Sequence, residues 1–374
     1  MAKQKESDAG NVLGRSAEEL RALAESLGEP AFRGNQIYRA LYVEHRFDFA
    51  AMTVLPARLR NRLEREAAIK LPKIVRRYRA ADGTVRYVLG LSGSHVRDAE
   101  AGSSSTTVET VFMPEENRQT ICISTQAGCA VGCRFCLTAT LGLIQNLSPG
   151  EIIGQVLVAL EDNRETLKPR TNIVLMGQGE PLLNYDAVMG ALRILLDPNG
   201  MALSPKHVTL STSGILPGIE QLGREPIRPK LAISLNASSD EQRDEVMPIN
   251  RKYPIAELLA ACRQYPLRSW ERLTFEYVLL GGFNDSAEDA RRVAKLLANL
   301  RAKVNLIPWN PGDLPYREPD PARTETFRKI LAEKGVLALV RYSRGQEVMA
   351  ACGQLALLES TNTGSRLEQI SAVP

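Results

Sequence analysis

Residues 119–160 read QTICISTQAGCAVGCRFCLTATLGLIQNLSPGEIIGQVLVAL, and three signals follow one another along this stretch. QTICIST is a short apolar, β-branched run of the strand type. QAGCAVGCRFC places Cys129, Cys133 and Cys136 in a C-x3-C-x2-C spacing. SPGEIIGQVLVAL opens on Ser148, Pro149 and Glu151, a capping box with proline at the first helical position, so it predicts a helix. Cysteine thiolates at this spacing can wrap around an iron–sulfur cluster, and Gly128 and Gly132 allow a tight loop close to the inorganic core. Three protein ligands leave one iron of a four-iron cluster open to a small molecule. Zinc competes, but tetrahedral zinc takes a fourth ligand. The three histidines, His45, His95 and His207, are remote in sequence, and only Cys122 is near.

Working outward, strand-like runs alternate with helical segments. TNIVLMG, HVTLSTS, KLAISLN, RLTFEYVLL and KVNLIPWN read as further strands, and DSAEDARRVAKLLANL as a further helix. Repeated strand–helix units imply a parallel sheet, as a barrel or an open doubly wound sheet. Upstream, AEELRALAESLG, GNQIYRALYVE and a segment from about Pro56 carrying RLRNRLERE have helical spacing. KIVRRYRAADGTVRYVLGL reads as a hairpin about Asp82-Gly83. AGSSSTT at 101–107 reads as a linker, and the tail after about Leu358 as polar and loose.

Composition bounds the class. The chain has 374 residues, 44% hydrophobic and 24% charged, as in a globular protein able to bury a sizeable core. Its net charge of +4 demands no nucleic-acid partner, but residues 1–100 hold 18 basic against 13 acidic groups, leaving the rest near neutral. MAKQKESDAGN lacks the apolar core of a secretory signal, and no apolar run approaches a membrane span. Four of the six cysteines fall within fifteen residues, the pattern of a metal or redox site in a reducing compartment rather than of a disulfide scaffold.

At this point the sequence resembles the radical S-adenosylmethionine (SAM) enzymes, whose signature is C-x3-C-x2-C. More narrowly it resembles the RlmN/Cfr family of RNA adenosine methyltransferases, from FRGNQIY near residue 32 to AACGQL at 350–355. The resemblance implies an α/β fold: a partial, open (β/α)6 radical SAM barrel with a small N-terminal helical accessory domain. It implies a [4Fe-4S] cluster on Cys129, Cys133 and Cys136, with SAM on the fourth iron. GQGEP follows the strand NIVLM, where a parallel sheet delivers ligand-binding loops. The resemblance makes Gly179 and Glu180 ligands of the SAM amino group. Ser211, Ser234, Leu235, Asn236 and Asn310 end successive strands, and the resemblance gives them the carboxylate, ribose and adenine of SAM. Family members usually have histidine where this chain has Asn236 and methionine where it has Gln178, which puts an imidazole role at 236 in doubt.

The remaining expectations also follow from the resemblance. Taken alone, Cys352 in RGQEVMAACGQL reads as a small core residue; the family makes the matching cysteine the carrier of a methyl group. One SAM methylates it, and a second is cleaved to a 5′-deoxyadenosyl radical that takes hydrogen from the S-methyl. The carbon radical then adds to adenine. C2 and C8 of adenine are electrophilic amidine carbons, so direct displacement on the SAM methyl is closed to them. Cys122 matches the cysteine that releases the adduct through a transient disulfide with Cys352, and Glu109 matches the proton acceptor. Cys262 in ELLAACRQY matches no motif and reads as core.

The implied substrates are adenosine 2503 of 23S rRNA and adenosine 37 of certain tRNAs, methylated at C2. Methylation at C8 is the alternative outcome. A radical SAM enzyme with a non-RNA substrate and a zinc-dependent RNA-binding protein are the readings from other classes. The implied organisation is an RNA-gripping basic module at 1–100, a barrel with the Cys352 loop at 101–358 and a tail at 359–374. The implied setting is a cytoplasmic monomer reduced by an electron donor such as flavodoxin or ferredoxin, with no membrane contact.

Overall fold

The computed structural model describes residues 10–91, 106–311 and 313–355. The polar start of the chain, most of the expected linker and the expected tail lie outside the described residues. Twelve strands are formed among them: β1 (Lys73–Arg79), β2 (Val85–Gly90), β3 (Thr107–Pro114), β4 (Gln119–Cys122), β5 (Gln126–Gly128), β6 (Leu143–Asn146), β7 (Thr171–Leu175), β8 (Val208–Thr212), β9 (Lys230–Ser234), β10 (Leu273–Leu279), β11 (Ala302–Pro308) and β12 (Leu337–Val340). Ten make one sheet in the order β1-β2-β3-β4-β7-β8-β9-β10-β11-β12, while β5 and β6 make a separate ribbon.

Strand β4 is where the topology changes. It runs antiparallel to β3 and parallel to β7, and every later neighbour is parallel. The six expected strands are β4 and β7–β11, with helices such as Pro149–Asp162 and Ala287–Leu296 as crossovers. The capping box forms: Ser148 Oγ accepts from Glu151 N, and Glu151 Oε2 accepts from Ser148 N. Strand β12 adds a seventh parallel strand that the sequence hides. It is four residues long, and Leu337 and Leu339 are exposed, so neither length nor burial marks it. With β1 and β12 as its edges, the sheet is an open barrel.

The helices Ala17–Ser26, Phe32–Tyr42 and Ala57–Glu66 form as expected. Ser16 and Glu19 cap the first. They do not stand apart from the barrel. Leu20, Ile37, Leu41, Leu59 and Leu63 share one continuous core with the barrel helices. Gly14 and Gly150 let two backbones touch, since a Cβ on Gly14 would collide with Gly150. Tyr38 donates to Asp197 at 2.9 Å and His45 meets Glu161 at 2.9 Å. The hairpin β1–β2 is hydrogen-bonded through β3 into the main sheet. Burial of apolar faces thus welds residues 10–91 to the rest. Among the described residues no helix is long and apolar enough to cross a membrane.

Candidate active site

The carboxyl ends of the parallel strands open on a cavity of about 160 Å³. One wall is the cysteine loop. Gly128 sits at φ +72° with its α-carbon so close to the Gly142 carbonyl that any Cβ would collide. The Cys129 amide donates to that same carbonyl at 2.8 Å. The ribbon β5–β6 thereby closes the loop's first turn, and Cys129, Cys133 and Cys136 all line the cavity.

The strand ends supply the polar wall. Gly179, at φ +98°, passes so near Gln126 that a side chain would strike it. Glu180 is buried: its Oε2 accepts from the Ser213 amide at 2.7 Å and its Oε1 from the Leu182 amide at 3.1 Å. Burial nevertheless holds its carboxyl above the usual range. Ser211, Ser234, Asn236 and Asn310 also line the cavity. Leu235 does not. It is fully buried, and its amide donates to the Glu276 carbonyl, so it belongs to the core. Asn236 is left-handed at φ +55°, a conformation that asparagine tolerates. Its Oδ1 accepts from the Val278 amide at 2.9 Å, a backbone-fixing contact that accounts for asparagine here.

Beside the cysteine loop lies the Cys352 loop, built from distant parts of the chain. Asn310 Nδ2 donates to the Cys352 carbonyl at 3.2 Å, and its Oδ1 accepts from Gln346 at 3.0 Å. Asn310 therefore pins this loop in addition to facing the cavity. The Leu137 amide donates to the Gly353 carbonyl at 2.8 Å, and Thr138 Oγ1 to the Leu355 carbonyl at 2.5 Å. The turn of hairpin β1–β2 clamps the outer side through the Ala81 amide to Glu347 at 2.5 Å, and Arg344 reaches the Pro114 carbonyl. The Cys352 side chain is solvent-accessible through the cavity, although protein crowds it from behind. That low-dielectric setting, with the Glu276 carboxylate and Cys136 nearby, pushes its thiol up to about 12.

Cys122, on β4, is buried just behind this loop in a small apolar cluster with Val111, Val348, Ala350 and Leu355. Burial first, then Cys352, raises its thiol far above the ordinary value. No disulfide joins the two: both thiols are free, so the expected pairing does not exist in this state. Glu109 is not the solvent-facing strand residue its neighbours suggest. It is fully buried and does not line the cavity. Its Oε1 accepts from Arg86 at 2.6 Å and its Oε2 from Gln178 at 3.2 Å, and Tyr78 stacks on the Arg86 guanidinium at 4.2 Å. A buried carboxylate without such partners would be costly, so Gln178, the departure from the family pattern, has a structural role here.

Two functional positions escaped sequence reasoning. Glu276, mid-strand in β10, lines the cavity and accepts from Ser211 Oγ at 2.7 Å; burial raises its carboxyl. Arg243 is fully buried under the strand ends and donates to the carbonyls of Ser213, Ser234 and Leu235, locking two of them together. A lone inward carboxylate on a strand and an arginine on a polar helix carry no motif, and only the pairing of strands brings them here.

The donor set fits a four-iron cluster. Among the described residues no three His, Cys, Asp or Glu side chains converge into a ready site for one metal ion. Cluster cysteines bind different irons, so they line a cavity without converging on one point. Burial, with neighbouring thiols and Glu180, pushes Cys129 up to about 11 and Cys133 well above its ordinary value. Only a strongly cationic group would deprotonate such a set.

A family model described as the Radical SAM superfamily matches residues 123–297, and one described as the ribosomal RNA large subunit methyltransferase N-terminal domain matches residues 10–69. The chain is 47% identical over 353 residues to the "Probable dual-specificity RNA methyltransferase RlmN" of Koribacter versatilis (strain Ellin345), covering 90% of this chain and 98% of that protein. It is likewise 47% identical to the "Dual-specificity RNA methyltransferase RlmN" of Anaeromyxobacter dehalogenans (strain 2CP-C), covering 91% and 90%. Among solved structures, a radical SAM methyltransferase from Sphaerobacter thermophilus superposes with a TM-score of 0.85 at 42% identity, over 92% of this chain and 98% of that one.

Proposed function

The chain belongs to the RlmN family of radical SAM RNA methyltransferases, and from that membership we propose that it methylates C2 of adenosine in 23S rRNA (position 2503) and in certain tRNAs (position 37), by way of an S-methyl group on Cys352. The observation that carries the reading is the direct hydrogen bonding of the Cys352 loop to the residues after Cys136. It brings the Cys352 thiol beside the Cys129, Cys133 and Cys136 loop in one cavity, which supports a reaction that passes between them.

Cys129, Cys133 and Cys136 would hold the cluster, which would supply the electron for cleavage of SAM to a 5′-deoxyadenosyl radical. The protein's residues do the rest. Gly179 and Glu180 hold the SAM amino group, with Ser211, Ser234, Asn236 and Asn310 completing the pocket. Cys352, deprotonated, first takes a methyl from one SAM, forming the S–CH3 bond as S-adenosylhomocysteine leaves. Loss of a methyl hydrogen to the radical from a second SAM leaves a carbon radical on Cys352, which bonds to the adenine ring. As the ring regains aromaticity it loses its proton, by relay to Glu109 held by Arg86 and Gln178 behind the loop, and one electron, which would return to the centre that reduced SAM. Cys122 then attacks the Cys352 sulfur. A disulfide forms, the S–CH2 bond breaks, and the methylene carbon takes the electron pair and a proton. The target nucleotide must leave its RNA fold to reach the cavity.

Nucleoside mass spectrometry tests this. A 23S rRNA fragment is incubated anaerobically with the reconstituted enzyme, SAM and a reductant. 2-Methyladenosine is the expected product. 8-Methyladenosine would keep the machinery and overturn the regiochemistry, and SAM cleavage without either product would overturn the substrate.

A further inference from the structure

Several N-terminal arginines, on which the expectation of an RNA-gripping module rests, are engaged within the protein. Arg58 pairs with Glu29 at 3.0 Å, Arg62 with Glu66 at 2.8 Å and Arg77 with Asp162 at 2.6 Å. A different group of cations is not. It lies inside the barrel, beneath the cavity.

Strand alternation puts it there. Ser234 and Ile307 line the cavity, and Lys230 and Lys303 sit four residues earlier on the same faces of β9 and β11. They pair across the sheet with Thr209 and Thr274. Arg341 follows β12, its amide bonded to the Leu306 carbonyl at 2.7 Å. Branched aliphatic side chains normally fill the interior of a (β/α) barrel. Here the inward row holds Thr120, Asn172, Thr209 and Asn305, all half-buried beside half-buried Lys230 and Lys303. This interior is a polar lumen, not a packed core.

No direct ion pair neutralises the charge in it. Among the described residues no hydrogen bond or ion pair engages the Lys230, Lys303 or Arg341 side chain. Burial, then Lys303, Arg341 and Arg118, lower the Lys230 ammonium; burial and Arg341 lower that of Lys303. The nearby counter-charges are shared or committed. Glu271 is held by Arg268 at 3.6 Å and Arg228 at 3.9 Å and Glu115 by Arg118 at 2.7 Å, which leaves Glu276, bonded to the Ser211 hydroxyl at 2.7 Å, as one carboxylate shared between Arg341 and Lys303. Like charges gathered in a partly desolvated lumen destabilise a fold unless an anion joins them. In register with Lys303 and Asn305, β12 also presents Leu337 and Leu339, which are exposed apolar surface.

We propose that Lys230, Lys303 and Arg341 form a phosphate site for the RNA backbone beside the target adenosine, with Leu337 and Leu339 lying against the neighbouring nucleotide. The proposal rests on the RNA methyltransferase reading. It makes the barrel lumen, rather than the N-terminal arginines, the place where the substrate strand is gripped while its base reaches Cys352.

The test uses reconstituted holoenzyme carrying Lys230→Met, Lys303→Met or both, which keep the apolar stem and remove the charge. RNA affinity is measured across a salt series. Each substitution is expected to weaken binding about tenfold and to reduce the slope of log affinity against log salt by about one, with both effects doubled in the pair. An RNA carrying neutral methylphosphonates beside the target should bind wild type as weakly as natural RNA binds the double variant, and the double variant no worse. Melting temperatures should not fall, because removing like charges relieves repulsion. Unchanged RNA affinity and slope would overturn the proposal, as would a lower melting temperature or an equal loss of SAM affinity. Tight binding of inorganic phosphate that does not compete with RNA would assign the site to a free anion and overturn it too. Mass gain on Cys352 with SAM alone is the control: its failure in wild type sinks the function, whereas its persistence in variants that have lost RNA isolates the lumen.

Discussion

Two loops present sulfur to one cavity, and they are built in opposite ways. The cysteine loop closes on itself: Gly128, Cys129 and Gly142 meet within fifteen residues, and the ribbon β5–β6 holds its ends. The Cys352 loop has almost no structure of its own. Gly345 and Met349 are left-handed, and it is fastened by Asn310, Thr138, the hairpin turn at Ala81 and Pro114. Local closure makes the first loop a motif that spacing reveals. Remote fastening makes the second an element whose position depends on four other parts of the fold.

The sharpest way to break this contrast is to remove a sulfur from each side. Cys129→Ala and Cys352→Ala should both reduce RNA methylation below detection, yet differ in what survives. Cys129→Ala should lose iron and SAM cleavage together. Cys352→Ala should keep the iron and continue to form 5′-deoxyadenosine, read by chromatography. If Cys352→Ala also lost iron, the two loops would be one cooperative unit and the contrast would fail.

A smaller effect tests the fastening. Thr138→Val removes the hydroxyl that donates to the Leu355 carbonyl at 2.5 Å and keeps the side-chain volume. Stability should fall by about 1–2 kcal/mol for the lost buried bond. Turnover should fall further, about 10- to 100-fold, because the sulfur moves relative to its partners. The diagnostic readout is the ratio of 5′-deoxyadenosine to methylated RNA, which should rise as cleavage uncouples from transfer. An unchanged ratio would mean that the other fasteners suffice.

The same contrast explains what was legible beforehand. C-x3-C-x2-C, the capping box at Ser148 and the strand runs of β4 and β7–β11 are local patterns, each specified within a few residues. Glu276, Arg243 and β12 carry no local signature, and only strand pairing gives them their places. Glu109 shows the limit from the other side. Nothing local marks its burial, but the sheet packs it against Arg86 of strand β2. The tightness with which residues 10–91 share the barrel core was equally invisible, because helix periodicity says that a face is buried but not against what.

Proton affinity separates the loops more finely. The Cys352 thiol, pushed up to about 12 by burial and then by Glu276, is protonated at neutral pH, so its reactive thiolate is scarce and grows about tenfold per pH unit below that value. Alkylation of Cys352 by iodoacetamide in the absence of SAM should therefore climb steadily from pH 7 to 9. Glu276→Gln removes the negative charge that disfavours the thiolate, so the folded pKa falls and alkylation at pH 8 should quicken several-fold. Peptide mass spectrometry reads both. A slower reaction in Glu276→Gln would mean that the carboxylate assists the thiol rather than opposing it.

The smallest effect belongs to a cysteine that neither loop owns. Cys262 lies in helix Ile255–Gln264, 2% exposed, within the continuous apolar core that also holds Leu258 and Leu259. Burial alone pushes its thiol up to about 12, as high as that of Cys352. What distinguishes the two thiols is thus access to the cavity rather than proton affinity. Cys262→Ala deletes one sulfur from a packed site and should cost about 1 kcal/mol in denaturant unfolding, with methyl transfer and iron content unchanged. Iodoacetamide should leave Cys262 unlabelled at every pH at which the fold persists, while Cys352 reacts. Should Cys262 label as fast as Cys352, or its alanine variant lose turnover, the assignment of chemistry to cavity-facing sulfur alone would have to be abandoned.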